Sequence, residues 1–326
     1  MERSRVASVL IGVAALALWP LAAGSFGIDL VTKTMIYAIV ALSLELLVGA
    51  TGLVCFGQAA FFGLAGYATV KLSPSGAPAS LFWLLPVAMM VGAAYALFMG
   101  ALSLRTKGVY FIMVTLAFAQ MAYYVIHDTP LGGGTDGIYL YVKPVADFGA
   151  AVLDLDRPLQ LYYFVLGSLA AVFVFLALLL RSQFGRALAG IRVNEQRMKA
   201  TGFSTYPYKL AAFTLSGAIA GLGGFLFAVK DGFVNPELLS WHFSGAVLIM
   251  IILGGLGHLR GAVIGAFVYA LLQELFKSEA VFGAFAKHWL LGLGLAIIAS
   301  VALLPRGLIG VGELATHRLR RTPRTR

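Results

Sequence analysis

Charge is what this sequence has least of. Its 326 residues include 24 Lys and Arg and 14 Asp and Glu, so only 12% are charged while 60% are hydrophobic, and the mean hydropathy is +0.90. A soluble globular domain carries about 25% charged residues, so the scarcity excludes one and points to an integral membrane protein. Cysteine is nearly absent as well. The single Cys55 sits in an apolar run, cannot form an intrachain disulfide and reads as a packing residue. Catalytic signatures are missing. No GxxxxGK[ST] phosphate loop occurs, and the glycine-rich GGGTDG at Gly132–Gly137 lacks the lysine, so ATP hydrolysis by this chain is not expected. His127, His242, His258, His288 and His317 are scattered, without HExxH or paired metal spacing, and no GxSxG elbow is present. No enzyme activity, cofactor or metal is therefore expected. The net charge of +10 does not argue for nucleic acid, because the cations gather in loops and in the terminal THRLRRTPRTR, where a membrane protein uses them for orientation.

What the chain does have is apolar length. A membrane-crossing helix takes roughly 20 predominantly apolar residues, and such runs fall at Val6–Ala23, Ile28–Val48, Leu53–Leu72, Leu81–Leu104, Val109–Ile126, Leu159–Leu180, Lys209–Val229, Phe243–Leu256, Ala262–Phe276 and Phe285–Leu304. The expected fold is all-α, a polytopic membrane helical bundle of about ten spans. Residues 1–310 would form one transmembrane domain with a cytoplasmic loop over 182–208, followed by a basic cytoplasmic tail, 311–326. The opening ERSR and the apolar run ending in LAAGS also fit a secretory signal peptide; a retained first helix is preferred because the topology closes with it. Phe243–Leu256 is short enough to be tilted or re-entrant. With the N-terminus inside, Lys33, Lys71, Lys143, Arg157, Lys230, Lys277 and Lys287 fall on the outer face and every other Lys and Arg on the inner one. That bias places both termini in the cytoplasm, N-in and C-in.

Within the spans, glycine and buried polar residues stand out. Gly217 with Gly221, Gly257 with Gly261, and Gly261 with Gly265 have GxxxG spacing, which lets helix backbones approach closely. Tight packing within one bundle is the expectation; lining of a path or a subunit interface is the sharper alternative. Glu45 and Glu274 are expected at interfaces with their carboxylates in headgroups or water. Gln120 and Gln273 are further polar residues at membrane depth. Gln58, set in GQAAFFG, needs hydrogen-bond partners, since an unsatisfied amide in hydrocarbon costs several kcal/mol. It is either an interhelical bond or, with Thr115, part of a translocation path.

One charged stretch interrupts the hydrocarbon: SQFGRALAGIRVNEQRMKATGF, Ser182–Phe203. Asn194 is a good N-cap, Glu195 suits the first turn, Glu195 and Lys199 pair at i,i+4, and Gly202 is a natural C′ stop. A short helix from Glu195 to Thr201 is predicted, about 10 Å long, and a longer one from Gly185 would carry Leu188, Ile191 and Met198 on a mixed apolar edge. So short a helix is marginal alone. Either anionic headgroups or a protein groove must hold it, and the caps and alternating charge favour the groove.

These residues carry a family resemblance. FGRALAGIRVNEQRMKATGFSTYPYKLAAFTLSGAIAGLGGFLFA, with GLVCFGQAAFFGLAGYA, GVYFIMVTLAFAQ, GGTDGI and LGGLGHLRGAVIGA, resembles the LivM-type permeases of branched-chain amino acid ABC importers, in the family's order from about Ala41 to Gly310. The resemblance implies that Gly185, Arg186, Arg192, Asn194, Glu195 and Gly202 belong to an ATPase-coupling loop. It also implies a heteromeric importer of the bacterial inner membrane, with a second permease of the LivH type, two cytoplasmic ABC ATPase subunits and a periplasmic solute-binding protein. The substrates implied are leucine, isoleucine, valine and relatives; close cousins move urea, short amides or aromatic acids. An ATP-independent secondary transporter is the alternative of another class. Glu45 stands where the family usually has Asn and Cys55 where it usually has Ser, while Gln196, Arg197 and Met198 replace the alanines typical after Glu195.

Overall fold

A computed structural model describes residues 2–74, 76–147, 152–304 and 307–310. The tail expected at 311–326 lies outside them. Lipid offers backbone groups no hydrogen bonds, so a crossing segment must satisfy its own, which a helix does. The helices are α1 (Glu2–Ala22), α2 (Ser25–Glu45), α3 (Gln58–Leu72), α4 (Leu81–Ser103), α5 (Val109–Asp128), α6 (Pro158–Arg181), α7 (Gln183–Val193), α8 (Glu195–Ala200), α9 (Thr205–Asp231), α10 (Trp241–Gly254), α11 (Leu259–Lys277), α12 (Glu279–Phe282) and α13 (Trp289–Leu303). Strand structure among the described residues is confined to loops: β1 (Ile138–Tyr139) pairs antiparallel with β4 (Phe233–Val234), and β2 (Val145–Asp147) with β3 (Val152–Asp154). The molecule is an all-helical, multi-pass bundle. Among the described residues, seven helices are long and apolar enough to cross a membrane: α2 with its extension to Thr51, α4, α5, α6, α9, α11 and α13 with the residues following it. The remaining expected spans correspond to α1, α3 and α10, of which α3 has 15 residues and α10 has 14.

Two helices form the centre. The crossing windows of α2 and α9 are 83% buried, whereas those of α4, α5, α6 and α11 are 28% buried. Small residues make that centre dense. A Cβ on Gly92 of α4 would strike the Gly217 carbonyl of α9 and lie 3.1 Å from the Gly221 Cα. A Cβ on Gly221 would lie 2.9 Å from the Ala88 carbonyl oxygen. The Gly217–Gly221 stripe is therefore a backbone-to-backbone seam, which is how helices associate where lipid supplies no hydrophobic drive. Gly261 and Gly265 do the same between α11 and α10, against the carbonyls of Gly254, Gly255 and Met250. Gly257 takes no part in such a stripe. It lies in the α10–α11 turn at φ +86°, a left-handed conformation that favours glycine.

The expected third span, Leu53–Leu72, is broken. After Glu45 the helix widens into a π-helical turn, Leu46–Thr51, which ends at Gly52 in the left-handed region, and α3 begins only at Gln58. The physical reason lies in two residues the sequence pattern treats as ordinary, Glu45 and Gly52. The Glu45 carboxylate occupies the space where a Cβ of Gly49 would be. Gly52 (φ +74°) then turns the chain, and residues 54–56 run irregularly to the α3 N-cap, Gly57.

The Gly224–Phe62 approach between α9 and α3 gives a stability test. A Cβ on Gly224 would run into the Phe62 carbonyl oxygen, whereas one on Gly167 of α6 meets nothing within 4 Å. Overpacking of this kind costs about 1–3 kcal/mol. Thermal unfolding in detergent is expected to show a lowered midpoint for Gly224→Ala, a larger drop for Gly224→Leu, and no loss for Gly167→Ala.

Candidate functional site

The charged stretch folds as two short helices meeting at Asn194. The break between α6 and α7 requires glycine at 185, because a Cβ there would overlap the Leu180 backbone. Ser182 caps α7, its Oγ accepting the Gly185 N–H at 3.4 Å. Leu188 and Ile191 of α7 are buried against the bundle. The single longer helix anticipated from Gly185 is interrupted, since Asn194 is extended (φ −159°, ψ 99°) and opens α8 instead. Its Oδ1 accepts the Arg197 N–H at 2.9 Å. At the far end Phe203 N–H donates to the Met198 carbonyl and Gly202 N–H to that of Lys199, with Gly202 at φ +83°. This is a Schellman stop. The two helices interlock where Met198 fills the space left by Gly190.

Glu195 ties this loop to the buried α9. One oxygen, Oε1, accepts from Lys209 Nζ at 2.9 Å and Thr205 Oγ1 at 3.1 Å, and lies 3.1 Å from Lys199 Nζ. The i,i+4 pair with Lys199 was legible in the spacing; Lys209 was not. Partial burial works against the charge, but the hydrogen bonds from Lys209 and Lys199, the Lys209 charge and the Thr205 hydroxyl outweigh it and hold the pKa near about 2. Phe184 stacked on Tyr208, with ring centroids 5.7 Å apart, and Phe203 tilted against it at 5.3 Å add an apolar tie. Arg186 remains on the exposed side of α7. Beyond α8 an open groove is lined by Lys199, Gly202, Phe203, Ser204, Thr205 and Tyr206.

Arg192, at the end of α7, reaches the π-turn of α2, where Nη1 donates to the Gly49 carbonyl. Next to it is Glu45. The expectation of an interfacial carboxylate is overturned: Glu45 is 3% exposed, and Oε1 accepts the Gly257 N–H at 2.6 Å. Folding of the α10–α11 turn over the end of α2 buries it, a long-range packing event with no local signature.

Gln58 and Thr115 belong to one polar seam around the break. Gln58 is fully buried; Nε2 donates to Ser216 Oγ of α9 at 2.9 Å, and Oε1 accepts from Ser43 Oγ of α2 at 3.2 Å. Thr115 Oγ1 of α5 accepts the Phe56 N–H at 3.3 Å. Ser244 of α10, which sequence reasoning missed, donates to the Phe56 carbonyl at 2.7 Å and accepts the Ala59 N–H at 3.0 Å. Cys55, read as a packing residue, is buried and its Sγ accepts the Gly57 N–H at 3.1 Å. The serines had no signal of their own, because a serine in a small-residue stripe looks like packing.

The sequence is similar to those of known proteins. A family model described as "Branched-chain amino acid transport system / permease component" matches residues 27–302. The high-affinity branched-chain amino acid transport system permease protein LivM of Escherichia coli K12 is 30% identical over 333 residues, covering 95% of this chain and 76% of that one. LivM of Salmonella typhimurium is 30% identical over 312 residues, covering 89% and 72%. The autoinducer 2 import system permease protein LsrC of Escherichia coli is 31% identical over 147 residues, covering 41% of this chain and 43% of that one.

Because the Glu195 pKa is lowered, its stabilising tie is complete above the ordinary value of 4.5 and is lost as pH falls through about 2. A carbon-13 titration of the carboxyl should show a midpoint near the lower value; a midpoint at the ordinary one would mean that the tie to Lys209 is absent. Asn194→Ala should cost α8 about 1 kcal/mol, read as faster amide exchange at Arg197.

Proposed function

The chain belongs to the branched-chain amino acid transport system permease family, and from that membership we propose that α7 and α8 are the surface on which partner ATPases act. It is a transmembrane permease of an ABC importer for branched-chain amino acids. In this reading two cytoplasmic ABC ATPase subunits supply the energy, a second permease of the LivH type completes the membrane pathway, and a periplasmic solute-binding protein delivers the amino acid. The membrane is the bacterial inner membrane. The seven long helices with α1, α3 and α10 make ten crossings, N-in and C-in, supported by the concentration of Lys and Arg on the α7–α8 side. α3 reaches across by joining its 15-residue helix to the irregular residues 53–57.

The observation that carries the reading is the Glu195–Lys209 tie. α8 is stopped at both ends and fastened through Glu195 to α9, the buried centre of the bundle. A displacement of α8 is thus delivered to a helix that packs on α2, α3 and α4. Gly185 sets the α6–α7 break, Asn194 and Gly202 fix the ends of α8, and Arg186 offers an exposed cation to the ATPase. Gln58 and Thr115 are assigned to the wall of the path, where they hold the α2–α3 break closed in the conformation described.

Glu195→Ala, or Gly202→Pro at a positive φ that proline cannot adopt, should abolish ATP-driven amino acid uptake while the protein stays in the membrane. Unchanged uptake with an intact partner set would remove the coupling role. Alkaline phosphatase fused after Gly134 should be active, and after Lys107 or Val193 inactive; the reverse pattern would invert the topology.

A further inference from the structure

Glu45 and Arg192 lie side by side and do not pair. Glu45 uses Oε1 to accept the Gly257 N–H, while Oε2 is buried and accepts nothing. Arg192 spends Nη1 on the Gly49 carbonyl. Between the two groups is a floor of glycines. The Glu45 carboxylate fills the space a Cβ of Gly49 would take; a Cβ on Gly257 would lie 3.6 Å from Arg192 Nη1, and one on Gly52 would lie 3.4 Å from Arg192 Cγ. A Cβ at Gly49 would collide with the Glu45 carboxylate itself, while at Gly52 and Gly257 it would only touch Arg192, so the backbone of these glycines brings the two side chains to one site.

A buried carboxylate oxygen without a donor is costly. A guanidinium has five N–H donors in a fixed fork that suits a carboxylate. The unpaired oxygen and the cation, which share Gly49 and Gly257 as neighbours, are complementary, and a shift of α7 toward α2 would bring them together. If Glu45 served only to hold Gly257, an amide would do as well and the second oxygen would need no cation nearby.

We infer that Arg192 and Glu45 are a two-position latch. In the conformation described Arg192 holds the Gly49 carbonyl; in the other conformation of the transport cycle it moves onto Glu45 Oε2. The shift fastens α7 at once to α2 and, through Gly257, to the α10–α11 turn. Arg192 is a positioning residue that touches no substrate. The inference rests on the coupling reading of α7 and α8, and adds a second route beside Glu195–Lys209: one goes to α9, the other to α2 and α10–α11.

The test uses the complete importer, with both permeases, the ATPases and the binding protein, reconstituted in liposomes, and reads amino acid taken up per ATP hydrolysed. Glu45→Gln keeps an acceptor for the Gly257 N–H and the same volume but loses the charge. Uptake per ATP is expected to fall about tenfold, within the usual range of coupling between sites. Arg192→Gln should do the same, Arg192→Lys should recover part of the loss, and the Glu45→Gln/Arg192→Gln double variant should be no worse than either single one. Wild-type uptake per ATP in Glu45→Gln, or additive losses in the double variant, would overturn the latch. Should Glu45→Gln fail to assemble, the exposed Arg192→Gln and its lysine rescue decide: loss with rescue supports the latch, and wild-type coupling removes it. Glu195→Ala in the same preparation separates the two ideas. Loss of uptake there with normal Glu45→Gln coupling sinks the latch alone, whereas normal uptake in Glu195→Ala sinks the coupling reading beneath it.

Discussion

Backbone that leaves the helix inside a membrane bundle must be satisfied by protein, because lipid offers no partners. Residues 46–57 make that demand, and the centre of the structure is arranged to meet it. Thr115 from α5 takes the Phe56 N–H, Ser244 from α10 holds the Phe56 carbonyl and the Ala59 N–H, and Gln58 ties α2 to α9 through Ser43 and Ser216. Four helices thus converge on one interruption. Each is fixed by a hydrogen bond as well as by packing, so none moves without disturbing the others.

The same break brings polar chemistry to the end of α2. A continuous helix would have kept the Gly49 carbonyl within its own ladder and left Glu45 on a helix face. The π-turn instead presents that carbonyl to Arg192 and folds the carboxylate under the α10–α11 turn. Beyond its apolar contacts, the charged loop is consequently bound to the membrane helices by two polar ties, Glu195 on α9 and Arg192 on α2, on opposite sides of Asn194. A two-point attachment can transmit rotation as well as push, which a single tether cannot.

The loop was the most legible part of the molecule. Asn194, Glu195, Lys199 and Gly202 act on neighbours within a turn or so of chain, and capping chemistry is local. The long helices were legible for a similar reason, since apolar length reports directly on lipid. The third span was not. An apolar run of twenty residues looks the same whether its first five are helical or extended, and only the Glu45 side chain in the place of a Gly49 Cβ decides. Hydropathy also gave no clue to centrality: α5 matches α2 and α9 in that respect yet its crossing window is only 28% buried, against 83% for theirs. What puts α9 in the middle is the glycine seam that lets α4 and α3 lie on its backbone.

The sequence by itself determined that this is a multi-pass helical membrane protein and that its one charged loop holds a capped helix. Those properties depend on composition and on contacts within a few residues. Its motifs also carried the family resemblance that the comparisons support. Only the tertiary structure decided that Glu45 is buried, that Lys209 is the partner of Glu195, and that Ser244 and Ser216 complete the polar seam. Each of these joins residues separated by more than a dozen positions or buries a charge under a distant turn, and such pairings are set by which helices lie together, a matter no local pattern encodes.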